Sequence, residues 1–471
     1  MRRIVLILLL LAPVSFAADK PKPTTAQAIE LAKRWLDAQR SYDGVPGMSV
    51  AVVSDQKEVW LDGSGMADPA TQRAANADTL YSICSVSKLF TSLAVMQLRD
   101  QGKLSLEDPV SKHLSWFRMK PAAEGREATI EGLLTHAAGL PREADYPYWS
   151  GSFDFPTHEQ IVQRIGSQEA LYPSERYFQY SNLGLTLAGE VVSAASGQPY
   201  DQYVKQHLLA PIGLTSTYPE IPLEEKGKRL AVGYSAKRRD GTRAALAPFQ
   251  VKGVAPAAGY ASTARDLAHF AEWQFRVLAN KDDKTIDPRT LREMYRPHFV
   301  DPDFKTYWGL GFAVRKSDGD DVFVGHGGSC PGFRTDVRLK ADDKVGVIVL
   351  ANASGVDVGG YSMAIYKIMA PAFTSDAKPA SDLSNFTGSY DSFPWDGETI
   401  IVPWGDELAG ESVPTMDPVK NMERWRKVAD NKFQRVRDDG TLGETMTFDI
   451  GPDGRPTKFW VFSNPSPRMN P

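Results

Sequence analysis

The chain has 471 residues, long enough for two domains, and its 42% hydrophobic and 24% charged residues are the balance of an ordinary globular protein. Lys and Arg number 54 against 58 Asp and Glu, a formal net charge of −4, so no basic field invites nucleic acid. Seven scattered histidines and two cysteines contain neither a His-Glu-x-x-His nor a Cys-x-x-Cys spacing, and phosphate loops and dinucleotide fingerprints are absent, so no metal site and no cofactor is expected.

In chain order, Arg2-Arg3 precede an apolar run from Ile4 to Leu11, and Ser15-Phe16-Ala17 stands before Ala18. Residues 1–17 therefore read as a signal peptide with a small-x-small cleavage site, too short to span a membrane. Cleavage leaves 52 basic against 58 acidic residues, a net charge of −6. No cysteine stands at the cleavage point to carry a lipid anchor, and no second run of 18 apolar residues follows. A periplasmic or secreted protein with no membrane span is expected. Met48 to Val53 and Glu58 to Leu61 then read as two strands around a polar turn.

Tyr81-Ser82-Ile83-Cys84-Ser85-Val86-Ser87-Lys88 leads into the helix-periodic run Leu89, Phe90, Leu93, Ala94, Met96, Leu98. Positions i and i+3 share a helix face, so the Lys88 amine reaches the Ser85 hydroxyl. The helix start adds unpaired N–H groups and a partial positive charge, which suit an oxyanion beside Ser85. Ser-x-x-Lys alone is also met as two polar residues at a helix start. Further on, Thr157 with Gln160 has capping-box spacing. Tyr180-Ser181-Asn182 opens a helical stretch from Leu183 to Ser196, punctuated by Gly197 and Pro199, and aims a phenol and an amide into one cleft. His326-Gly327-Gly328 follows the strand-like Val322 to Val324, where small residues let a substrate backbone lie against a strand edge. Phe333 to Leu339 and Val345 to Ala351 read as strands, and Val358 to Met369 as a closing helix.

The ordered trio at Ser85/Lys88, Tyr180/Asn182 and His326 resembles the penicillin-recognising serine hydrolases: class C β-lactamases, DD-peptidases, D-aminopeptidases and related esterases. Leu133 to Pro141 (LLTHAAGLP), Ala210 to Leu214 (APIGL) and Ala257 to Leu267 (AAGYASTARDL) resemble further segments of that family, in family order, over roughly residues 25–370. The resemblance implies an α+β, β-lactamase/transpeptidase-like fold: an antiparallel sheet flanked by helices, with the site facing a helical insertion. The domain is expected to span 18–370, a linker 371–382, and a lipocalin-like β-domain, a small barrel by its short alternating runs, 383–471. Trp395, Trp404, Trp425 and Trp460 are read there as core and domain contact rather than a ligand cage.

By the same resemblance, Ser85 attacks a carbonyl and is acylated, Lys88 and Tyr180 share its proton with the base left open, and Tyr180 delivers a proton to the leaving group. Asn182 holds Lys88 and the substrate amide, and the N–H groups of Ser85 and Ser329 form the oxyanion hole. His326 departs from the lysine usual in β-lactamases, and a mostly neutral histidine grips a carboxylate poorly. This favours esters or D-amino-acid amides and peptides, with β-lactam hydrolysis, DD-carboxypeptidase activity and a non-catalytic penicillin-binding sensor as alternatives. Small-molecule or peptide substrates are the expected partners, and the oligomeric state is open. Arg334 is read either as a supplementary cation or as a solvated strand residue, and His136 as a structural histidine. Gly-x-Ser-x-Gly is not completed at Ser329 because Pro331 occupies the last place. Cys84 and Cys330 flank the elements that must converge on Ser85. The pairing resembles the disulfide of some class A carbapenemases, and the alternative is two small buried residues.

Overall fold

The computed structural model describes residues 21–120, 126–281, 284–317 and 319–469, so the expected signal peptide lies outside the described residues. Two compact units divide the chain: residues 36–367, and residues up to Trp35 together with those from Ile368 onward. The helices Thr25–Tyr42 and Val358–Phe373 each run across that division. The closing helix thus extends beyond Met369 and through Pro371, three residues into the stretch expected to be linker.

The larger unit is built on a nine-stranded antiparallel sheet. Its centre is formed by Gly47–Ser54 and Val345–Ala351, whose side chains are nearly all buried because both faces of the sheet are covered. The helix Ala264–Leu278 packs on one face of these strands. On the other, Ser362 of the closing helix meets the Arg338 guanidinium of strand Phe333–Lys340 at 3.0 Å. All four strands expected at the two ends of this region are present. Between them in sequence lies the helical layer. Its central helix, Ser87–Asp100, is buried on every side from Ser87 to Leu98, against Asn182–Ser196 and Ala255–Ala258, and its buried polar residues include Lys88, Thr91 and Gln97, each hydrogen-bonded. The capping box at Thr157 and Gln160 forms as expected.

Strand Val322–Cys330 carries the third motif. It is not an edge strand: Phe333–Lys340 pairs along one side and Ala313–Lys316 along the other, the latter only as far as Gly325. From His326 to Cys330 that second side has no strand partner among the described residues, and the turn carrying Ser85 packs against this strand and its neighbour Phe333–Lys340.

In the smaller unit, eight antiparallel strands follow one another from Gly388–Asp391 to Asn464–Pro467. A bridge between Tyr390 and Arg468 brings first and last strands together into a nearly closed barrel. Its core contains Tyr390, Ile401, Leu408, Trp425, Phe433 and Phe448. Trp404 and Trp425 are buried as expected, but Trp395 is 88% exposed and belongs to no core. The strands Glu407–Val413 and Glu423–Ala429 were not expected, because their charges hide the alternation. Glu407 is buried in a pair with Arg426, at 3.0 and 2.9 Å.

Candidate active site

The turn that presents Ser85 is fixed from three directions. Ile83 N–H donates to the Tyr260 carbonyl at 2.9 Å, Thr335 Oγ1 donates to the Ile83 carbonyl at 3.0 Å, and the Tyr260 N–H donates to Ser87 Oγ at 3.0 Å. Cys84 has φ +50°, a left-handed conformation that is strained for a side-chain-bearing residue. It opens a 3₁₀ turn, Cys84–Val86, so Ser85 stands one turn before the α-helix rather than on it. Cys84 and Cys330 form a disulfide with Cα atoms 5.7 Å apart, joining this turn to the third-motif strand.

Lys88 is fully buried, with its ammonium nitrogen 2.7 Å from Asn182 Oδ1, 2.8 Å from the Ala257 carbonyl and 3.1 Å from Ser85 Oγ. The first two neighbours only accept, so they take two N–H bonds. The third direction, toward Ser85, is an N–H when the amine is charged and a lone pair when it is neutral. Burial holds this amine well below the usual lysine range, opposed by the charge of Glu143 and assisted by that of Arg142.

Burial pushes the Tyr180 phenol up to about 12, partly offset by the neighbouring Ser85 hydroxyl. The Lys88 nitrogen and the Arg142 guanidinium each lie 4.9 Å from its ring centre. The His136 ring packs against it, tilted by 30° with centroids 4.2 Å apart, and accepts the Ser181 N–H at its Nδ1 (3.1 Å). The histidine read as structural therefore supports Tyr180. Ser181 caps the helix Asn182–Ser196 through Gly184 N–H and donates to the Pro141 carbonyl at 2.6 Å. Asn182 N–H donates to the Arg142 carbonyl at 2.8 Å. The segment 136–142 thus aligns the second motif against the first.

His326 is buried, its Nδ1 hydrogen-bonded to the Gly327 carbonyl at 2.6 Å, which leaves Nε2 as the acceptor with no partner among the described residues. Burial and then the Lys88 charge push it down to about 3, so the imidazole is neutral at ordinary pH. Gly328 meets a steric demand besides the role expected of it: a Cβ there would collide with the Ile83 carbonyl and with Thr335 Oγ1, so the glycine admits the turn that carries Ser85. Ser329 is exposed on the unpaired side of the strand. Arg334 is half-buried, and one nitrogen of its guanidinium donates to the carbonyls of Cys330 (3.2 Å) and Phe333 (3.0 Å). A cation beside the site is Arg142, with 61% of its side chain exposed and its guanidinium 4.9 Å from the Tyr180 ring centre. Among the described residues no group of three His, Cys, Asp or Glu is placed to hold a metal ion, and no helix is long and apolar enough to cross a membrane.

A family profile described as Beta-lactamase matches residues 32–367. The chain belongs to this family. Among curated relatives, Beta-lactamase-like protein 2 of Dictyostelium discoideum is 25% identical over 77% of the chain and 66% of its own length. Protein flp of Staphylococcus aureus strain MW2 is 27% identical over 67% and 61%. The chain thus matches slightly under two thirds of each relative. The fold is shared with an octameric penicillin-binding protein homologue from Pyrococcus abyssi, at TM-score 0.63 and 21% identity, covering 94% of this chain and all of that one. It is shared also with a D-stereospecific amidohydrolase from Streptomyces sp., at TM-score 0.60 and 23% identity, covering 72% and 98%.

Proposed function

We propose that the protein is an exported serine hydrolase that works through an acyl-enzyme on Ser85 and cleaves esters or D-amino-acid amides and peptides. The observation that carries this reading is the buried Lys88 amine, held by two acceptors so that its third direction meets Ser85 Oγ at 3.1 Å. In the forward step the Oγ–H proton passes to neutral Lys88 as the oxygen bonds the substrate carbonyl carbon, and the carbonyl electron pair moves onto its oxygen. The N–H groups of Ser85 and Ser329 receive that oxyanion, each donor worth about 3 kcal/mol. Collapse of the adduct restores the carbonyl and expels the alcohol or amine, which takes its proton from the Tyr180 phenol, resupplied by Lys88. Water then repeats the sequence on the ester of Ser85.

Lys88 is the base in this scheme, because a phenol pushed up to about 12 is protonated at neutral pH. Neutral His326 offers a substrate donor its free Nε2, and Arg142 supplies the positive charge that the third motif lacks. The neutral imidazole in place of a lysine supports uncharged esters and D-amino-acid amides over a lysine-anchored β-lactam, and Arg142 leaves carboxylate-bearing peptides within reach. The disulfide supports export to an oxidising compartment. A panel of p-nitrophenyl esters, D-alanyl amides and peptides, and a chromogenic cephalosporin tests the reading. Turnover of the first two groups that exceeds the cephalosporin and vanishes in Ser85→Ala is expected; a cephalosporin preference, or undiminished activity in the variant, contradicts it.

A further inference from the structure

The Lys88 geometry depends on which way the Asn182 amide faces, and a carboxylate outside all three motifs decides this. Asn182 Nδ2 donates to Glu143 Oε1 at 2.7 Å, while the other carboxylate oxygen, Oε2, accepts the Tyr148 hydroxyl at 2.6 Å. A carboxylate only accepts, so the NH₂ end of the amide must turn toward Glu143 and Oδ1 must turn toward Lys88. Tyr148 is fully buried in an aromatic group with Trp149 and Phe155. Burial and the Glu143 charge both push its phenol up, so it remains a donor. Arg142 Nε lies 3.4 Å from Glu143 Oε1, and no hydrogen bond from Glu143 reaches Ser85 or Tyr180 among the described residues.

Resting on the serine-hydrolase reading, we propose that Glu143 is a positioning residue: the chain Tyr148–Glu143–Asn182 locks the amide so that its carbonyl holds Lys88 against Ser85, and the Glu143 charge sets the proton affinity of that amine. Charged and titratable groups bearing on Lys88 come from every surrounding element: Glu143 and Arg142 from the 136–143 segment, His136 from the same segment, Tyr180 before the second-motif helix, and His326 from the strand. Glu143 is the anion among them. Its removal therefore lowers the proton affinity of Lys88 and moves the acid limb of the rate profile to lower pH.

The test follows two readouts in the full-length protein across pH 5 to 10: the rate of covalent labelling of Ser85 by a fluorophosphonate, mapped by peptide mass, and the titration of the Lys88 amine by NMR of ¹³Cε-lysine. In Glu143→Gln, where an amide oxygen can still accept from Asn182, the plateau rate should stay within a few-fold of wild type. The acid limb and the Lys88 titration should both move down by about one pH unit. Glu143→Ala should also lose about 10²-fold on the plateau, as a misplaced base does. Labelling of Ser85 with rate profiles and Lys88 titrations of both variants that coincide with wild type overturns the proposal. Absence of labelling at Ser85 in the wild type, with Lys88 still shifted in Glu143→Gln, overturns the hydrolase reading and leaves the positioning role standing. Should Glu143→Ala fail to fold, Glu143→Gln decides alone.

Discussion

On the proposed reading, Arg142 supplies the charge for a substrate carboxylate and neutral His326 supplies a hydrogen-bond acceptor, where the resemblance has a lysine. His326 is buried and held neutral down to about pH 3, so KM for a carboxylate-bearing substrate should show no inflection near pH 6.5. Arg142→Ala should instead raise that KM about 10-fold, with little change for an uncharged ester; an equal effect on both substrates would remove Arg142 from recognition. Ser85, Lys88, Tyr180 and Asn182 were legible in the sequence because short spacings carry them: i to i+3 at a helix start, and two residues before a capped helix. Glu143, His136, Arg142 and the Ala257 carbonyl were not legible as a site. Their contacts with the motifs join residues some 40 to 170 positions apart in the chain, and nothing in local composition marks them. Gly328 was legible as a place needing a small residue, but not as the seat of the nucleophile turn.

At the scale of elements, the turn carrying Ser85 and the third-motif strand are held together by a disulfide and by the absence of a side chain at Gly328. Closing a loop with a sequence separation of 246 contributes about 5 kcal/mol on the chain-entropy model. Gly328→Ala should part the two elements, cutting kcat about 10²-fold and lowering Tm; wild-type kcat in a folded variant would show that this approach does not set the geometry. Reduction of Cys84–Cys330 should lower both Tm and kcat for the same reason. In the barrel, Glu411 lies buried with its carboxyl pushed up to about 9 by burial, and next by Asp417 and Glu423. Its folded value is above the unfolded one, so the unfolded state loses its proton first and stability falls as pH rises from about 4.5 to about 9. Glu411→Gln should therefore raise the unfolding temperature of the barrel more at pH 8 than at pH 4, and an equal shift at both would refute the buried-acid reading. Strands with alternating apolar residues announced themselves in the sequence; those built around paired or buried glutamates did not, because alternation of charge and burial cancels in composition.

Across the whole molecule, the α+β sheet with its helical insertion followed from six ordered segments, and the barrel from short strands between turn signals. What the sequence could not show is that the first helix is shared between units. Trp35 donates its indole N–H to the Thr415 carbonyl at 2.8 Å, and Gln27 exchanges hydrogen bonds with Gly405 at 3.0 and 2.9 Å, all within the smaller unit. Removing residues 383–471 alone strips these partners from buried Trp35, so that truncated protein should aggregate on heating, while a chain of residues 36–367 should melt cooperatively. The reverse result would place the division elsewhere. The claim on which the rest depends is covalent catalysis by Ser85, and acid quenching during turnover of p-nitrophenyl acetate, followed by peptide mass mapping, tests it most directly. One acetyl group on the peptide containing Ser85, absent from Ser85→Ala and strongly diminished in Lys88→Ala, is the result expected; turnover with no acetyl on Ser85, or an adduct on another residue that persists in Ser85→Ala, would contradict it.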